Sequence, residues 1–184
     1  VVKRGQGRAL HRIEVMEASH PVPGEDSLRA GERLLAVAAQ ARRRDLVIAV
    51  VTGGSSALAV APAEGLTLED KVATNRLLLA SGLDIVRMND VRKHLSRLKG
   101  GRLAAACGCE IVNLTVSDVV GDPPDYFTDL TAADRSTFAD AAAACDAAAL
   151  WDRLPAAVAA HLRRADPAAE TVKVLDAVHD HIVA

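Results

Sequence analysis

The sequence predicts an α/β domain with a largely parallel sheet and flanking helices. Two observations carry that expectation. Strand-type and helix-type segments alternate along the chain. One aliphatic run, Leu46–Val51, has no polar alternation, as a central parallel strand requires. The composition adds that 36 of the 184 residues are alanine and only Tyr126, Phe127, Phe138 and Trp151 are aromatic. Such a chain packs helices closely on small side chains.

Arg12–Ala18 reads as a strand with one wet face, with Ile13 and Val15 alternating with charged residues. His20-Pro21-Val22-Pro23-Gly24 breaks regular structure. Residues 25–44 read as an amphipathic helix capped by Asp26 or Ser27 and closed by Arg42-Arg43-Arg44 at its negative end. Asp45–Thr52 follows as a strand covered on both faces, running into Gly53-Gly54-Ser55-Ser56. Thr67 and Asp70 form a capping box for a helix to about Ala80, which Gly82 stops. Asn89 is the expected N-cap of a helix over Asp90–Leu98, and Arg102–Ala106 is a short helical stretch after Gly100-Gly101. Glu110–Ser117 is a second buried strand leading into the acidic loop Asp118–Pro124. Two helices, Thr137–Ala149 and Pro155–Arg164, precede a final weak strand at His181-Ile182-Val183.

Charge and composition exclude several classes. With 22 basic and 24 acidic residues, the net charge of −2 gives no field to draw nucleic acid or an anionic membrane. No apolar run approaches the ~20 residues of a spanning helix. Cys107, Cys109 and Cys145 are too few and too odd for a disulfide framework, which suits a cytoplasmic setting. Nothing in the sequence excludes a homodimer.

Three segments are candidates for chemistry. The glycines and serines Gly53, Gly54, Ser55 and Ser56 could hold a phosphate or carboxylate on backbone N–H and hydroxyl groups, or form a plain tight turn. They match neither a Walker A loop nor a dinucleotide fingerprint. Asp118 and Asp122 follow a second parallel strand, where ligands collect, and two carboxylates there could hold Mg²⁺ or cap a turn. In Asn89–Gly101, helical spacing places Arg92, Ser96 and Lys99 on one face. That face could bind a small acid or phosphoryl group, or be merely solvated. Lys93 and Arg97 form another basic face, and His94 reads as a packed or capping histidine.

Several motifs occur in a fixed order. They are His20-Pro21-Val22-Pro23, Gly53–Leu58, Leu68-Glu69-Asp70-Lys71, Asn75–Gly82, Asn89-Asp90-Val91-Arg92-Lys93-His94-Leu95-Ser96, Lys99-Gly100-Gly101-Arg102-Leu103-Ala104 and Ser117–Asp122. Together they resemble the glycerate 2-kinase family, whose members are often labelled hydroxypyruvate reductase, over roughly residues 11–165.

The resemblance implies ATP- and Mg²⁺-dependent phosphorylation of D-glycerate to 2-phosphoglycerate. It implies a two-domain enzyme with its site in the interdomain cleft. Residues 1–184 would then be a single partial domain, most of the larger, Rossmann-like one, truncated at both ends relative to the family. A preceding glycine-rich segment with a lysine and a smaller C-terminal domain would lie outside it. Such a chain is expected to turn over weakly alone. On this reading Gly53, Gly54, Ser55 and Ser56 cradle an anion, with Asn89, Lys93 and Ser96 as further binding residues. Arg92 and Lys99 are the catalytic cations, and Asp118, with Asp122 second, organises Mg²⁺. Two departures stand out. Ser55 replaces the family's third glycine, and Thr128-Asp129-Leu130-Thr131 stands near its usual Ser-Gly-Pro-Thr. The competing expectations are an NAD(P)H-dependent hydroxypyruvate reductase and a non-catalytic ligand-binding remnant.

Overall fold

The computed structural model describes residues 1–116, 130–164 and the strand 178–183. Three parallel strands form the main sheet in the order β3 (Leu46–Val51), β4 (Glu110–Val116), β5 (Val178–Val183). A small parallel pair, β1 (Val2–Lys3) and β2 (Glu17–Ala18), stands apart from it. The helices are α1 (Glu25–Ala38), α2 (Ser55–Leu58), α3 (Leu68–Leu79), α4 (Ile85–His94), α5 (Arg102–Ala105), α6 (Phe138–Ala147) and α7 (Ala156–Arg164). The α/β class with parallel strands is as the sequence predicts.

The differences have local causes. The strand expected over Arg12–Ala18 shrinks to Glu17–Ala18, because its partner is two residues long and Gly5, at φ 80°, turns the chain away. Ile13 is left 65% exposed. Helix α1 stops at Ala38, well short of the arginine triplet. The Asp45 carboxylate accepts the Arg42 N–H (2.7 Å), and the Asp45 N–H donates to the Arg42 carbonyl (2.7 Å), closing a turn there instead. Gly24 is its N-cap, with the Ser27 hydroxyl accepting the Gly24 N–H. Asp26 binds Ser19 and Arg4 instead, tying the β1–β2 pair to α1. Among the described residues, strand β3 is covered on one face only. Leu46, Ile48 and Val50 are exposed, and the neighbouring Leu114 and Val116 of β4 continue that apolar face. In register on the other face, Val47, Ala49 and Val51 lie beside the buried Ile111, Asn113 and Thr115.

Two cores hold the helices. Leu78, Val91, Leu95, Ala144, Cys145, Leu150, Val158 and Leu162 join α3, α4, α6 and α7. Ala59, Ala61, Leu98 and Leu130 join the segment after α2 to the turn after α4, with Leu34 and Leu35 of α1 against them. Capping boxes start α3 (Thr67 with Asp70) and α6 (Thr137 with Asp140).

Helix α1 crosses residues 59–61 at Gly31, where the Val60 N–H donates to the Ser27 carbonyl (3.0 Å). A Cβ on Gly31 would overlap the Val60 carbonyl. Alanine would gain about 1 kcal/mol in helix propensity. The backbone overlap outweighs that gain, since overpacking costs about 1–3 kcal/mol. Gly31→Ala is therefore expected to lower stability in urea unfolding; a stabilised variant would disprove the close crossing.

Candidate active site: a cationic cavity beside the Gly-Gly turn

Helix α4 begins at Asp84, whose carboxylate accepts the Arg87 N–H (2.9 Å), five residues before the expected cap at Asn89. It ends at His94, with Leu95 as its C-cap. Burial of Val91 and Leu95 against α6 and α7 fixes its rotation. Ser96 and Lys99 thus lie beyond the helix, and the single-face argument joining them to Arg92 does not hold. A tight turn returns the chain instead. The Ser96 hydroxyl accepts the N–H groups of Leu98 and Lys99 (3.2 Å each), and Gly100 and Gly101 take φ 64° and 73°. Arg102 clamps this turn by donating to the Lys93 and Lys99 carbonyls (2.9 and 2.8 Å).

The turn brings Lys99 back beside Arg92 after all. Both line a cavity of about 230 Å³ together with Lys71, Asn75, His20, Gly54 and Ser56. Lys99 is buried, and its Nζ donates to the Ser56 carbonyl (3.2 Å) and to the Ser56 hydroxyl. The cavity therefore adjoins the loop leaving the carboxyl end of β3. Gly54, at φ 93°, makes that loop's left-handed bend against the His20 ring.

Arg92 is half-buried. Its Nε donates to Asn75 Oδ1 (2.7 Å) and its Nη1 to Asn89 Oδ1 (3.2 Å). Two neutral carboxamides orient the guanidinium without cancelling its charge. Lys71 donates to the Leu95 carbonyl (3.0 Å). Burial, with the positive fields of Arg92 and Arg102, brings its pKa down to about 7. Three cations and no carboxylate line this cavity among the described residues. That is an arrangement for a small oxyanion.

The other candidate residues sort by position. Gly54 and Ser56 line the cavity, whereas Ser55 faces a separate apolar groove with Leu34 and Leu58, and Gly53 lines neither. Asn89 is buried and acts on Arg92. Ser96 is buried within its turn. Lys93 points away, into a buried ion pair with Asp134 (2.7 Å), with Asp90 at 3.5 Å. Its role in the structure is thus internal, not at the cavity. His94 is packed on Phe138 with Nδ1 at the Asp90 carbonyl (2.6 Å), and burial lowers its pKa. Asp118 and Asp122 lie outside the described residues. Among the described residues no three of His, Cys, Asp and Glu converge as a metal would need. Lys71 and Asn75 are the site residues that sequence reasoning missed. Their i, i+4 spacing on one face of α3 is a signal for them, but the 17 residues from Asn75 to Arg92 are bridged only by folding.

A family model described as a domain of unknown function, DUF4147, matches residues 1–163. The chain belongs to the DUF4147 family. Over its full length it is 39% identical to a protein of Pyrococcus horikoshii named glycerate 2-kinase, spanning 43% of that relative. A relative from Agrobacterium vitis, provisionally named hydroxypyruvate reductase, is 49% identical over 145 residues, 78% of this chain and 33% of the relative. Among solved structures, a glycerate kinase of Thermotoga maritima superposes on 98% of the chain with TM-score 0.87 at 34% identity, covering 43% of that protein. The DUF4147 chain thus spans less than half the length of these relatives. Among its described residues no helix is long and apolar enough to cross a membrane.

Proposed function

We propose that the protein is an ATP-dependent glycerate 2-kinase, converting D-glycerate to 2-phosphoglycerate in the cytoplasm. The observation that carries this reading is the cavity that, among the described residues, holds Lys71, Arg92 and Lys99 and no carboxylate beside the Gly54 bend. Its likeness to named glycerate kinases supports the same substrate.

In-line transfer needs positioning and charge stabilisation more than a strong base. Arg92, aimed by Asn75 and Asn89, meets phosphoryl or carboxylate oxygens. Lys99, anchored on Ser56, holds its charge at the loop where the backbone approaches. These preorganised cations favour the charge that spreads over the equatorial oxygens. Mg²⁺ would be held by Asp118, with Asp122 second, and would neutralise phosphate charge. Residues 1–184 form part of the larger, Rossmann-like domain on this reading, and the rest of the site comes from a second domain.

A coupled assay on the full protein tests this. ADP formation that requires both ATP and D-glycerate is expected. NADH loss with hydroxypyruvate in the absence of ATP, without ADP formation, would overturn the kinase reading in favour of a reductase.

A further inference from the structure

Lys71 is the cavity cation to which the phosphoryl-transfer steps above give no task, yet it is built into the cavity wall. It sits on α3, which also brings Asn75 to the cavity and packs Leu78 into the apolar core. One of its three N–H groups is spent on the Leu95 carbonyl, the C-cap of α4. Among the described residues, the titratable groups that face it are all basic. Arg92 comes from α4, Arg102 from α5, and Lys99 from the turn between them, with His20 at the cavity mouth. On its own helix, Asp70 is engaged in the Thr67 cap. Helix α7 meets α3 through apolar core residues. No described carboxylate lines this cavity to balance Lys71.

We propose that Lys71 is a proton-linked third cation that makes this cavity selective for a doubly charged tetrahedral oxyanion, such as a phosphate monoester, over a singly charged carboxylate. This deepens the kinase reading and rests on it for the identity of the cavity as an anion site. Arg92 and Lys99 already give a monoanion more positive charge than it needs, so it adds little field at Lys71. A dianion supplies the extra field that draws a proton onto Lys71, so binding the dianion takes up a proton.

The sign follows from linkage. The free amine titrates at about 7, crowded by burial and then by Arg92 and Arg102. A bound dianion favours the charged form and raises that value. Affinity is then greatest below neutral pH and falls as pH rises through the interval between the free and bound values.

Sulfate is the probe, because it stays doubly charged throughout this range. Calorimetric titration of the protein with sodium sulfate is expected to show affinity falling about tenfold between pH 7 and 9. At pH 8, heats measured in two buffers of different ionisation enthalpy should report net proton uptake. Lys71→Arg, permanently charged, should keep sulfate affinity and lose both the pH dependence and the proton uptake. Lys71→Met should weaken sulfate binding at pH 7 about tenfold or more, while D-glycerate binding changes little. Thermal melting confirms that each variant is folded. Sulfate binding with no proton uptake and no pH dependence in the unmodified protein would overturn the role of Lys71 while leaving the kinase reading intact. Failure of the folded protein to bind sulfate at all would overturn the proposal too. ADP formation with D-glycerate decides the kinase reading separately.

Discussion

Asp134→Ala should lower the stability of this protein by about 3 kcal/mol, the lower end of the usual cost of breaking a buried ion pair, since Asp90 stays within 3.5 Å of Lys93. Asp134 and Lys93 are 1% and 5% exposed, and their atoms meet at 2.7 Å. The same carboxylate accepts the Ser136 N–H (2.9 Å) and the Ser136 hydroxyl, fixing the backbone just before the Thr137 cap of α6. Its Cβ also packs beneath Gly100, in the turn that carries Lys99 back to the cavity. Removing the carboxylate leaves the buried ammonium with only the more distant Asp90 (3.5 Å) and loosens both connections. Replacing the pair together, as Lys93→Met with Asp134→Leu, should recover part of the loss, because the buried ammonium goes with its partner and only the Asp90 carboxylate, 14% exposed, is left without its cation. Denaturant unfolding of the single and double variants measures this. A single variant as stable as the parent would refute the pairing.

Arg92→Ala is expected to reduce phosphoryl transfer by roughly ten- to a hundredfold, the value of about 1.5–3 kcal/mol for a lost charge-assisted contact. Arg97→Ala should leave activity nearly unchanged. The contrast comes from position. Arg92 stands in the cavity with its charge intact, held by two carboxamides. Arg97, five residues on, turns to the other side, where it donates to the Pro62 carbonyl and pairs with Glu32. That pair is 44% and 48% exposed, and pairs of this kind contribute about 0–1 kcal/mol. Steady-state rates of the two variants, compared at equal fraction folded, decide the matter. Equal rates would reduce Arg92 to a solvated helix residue.

Local signals were legible in the sequence where they are chemically self-contained. The aliphatic run Leu46–Val51 is a strand, and Thr67 with Asp70 starts a helix, because each depends on neighbours in the chain. The apolar run could not show that only one face of β3 is covered, since coverage is a property of what packs on the sheet. The start of α4 was misplaced because Asp84 and Asn89 are both good caps, and the weak helix formers Ile85 and Val86 hide the true beginning. Arg92 and Lys99 were grouped for a reason that fails, a shared helix face. They meet because Gly100 and Gly101 fold the chain back and Ser96 caps the turn. Lys93 carries the same charge in the same motif, yet its partner Asp134 is 41 residues away, so its internal role could not be read from spacing.

The most direct test of the central claim is a crystal structure of the full protein with 2-phosphoglycerate. The product's anionic oxygens should lie in the cavity between Gly54 and Leu95, within hydrogen-bond reach of the Arg92 guanidinium and Lys99 Nζ. Product bound elsewhere, with that cavity holding only water, would contradict the assignment.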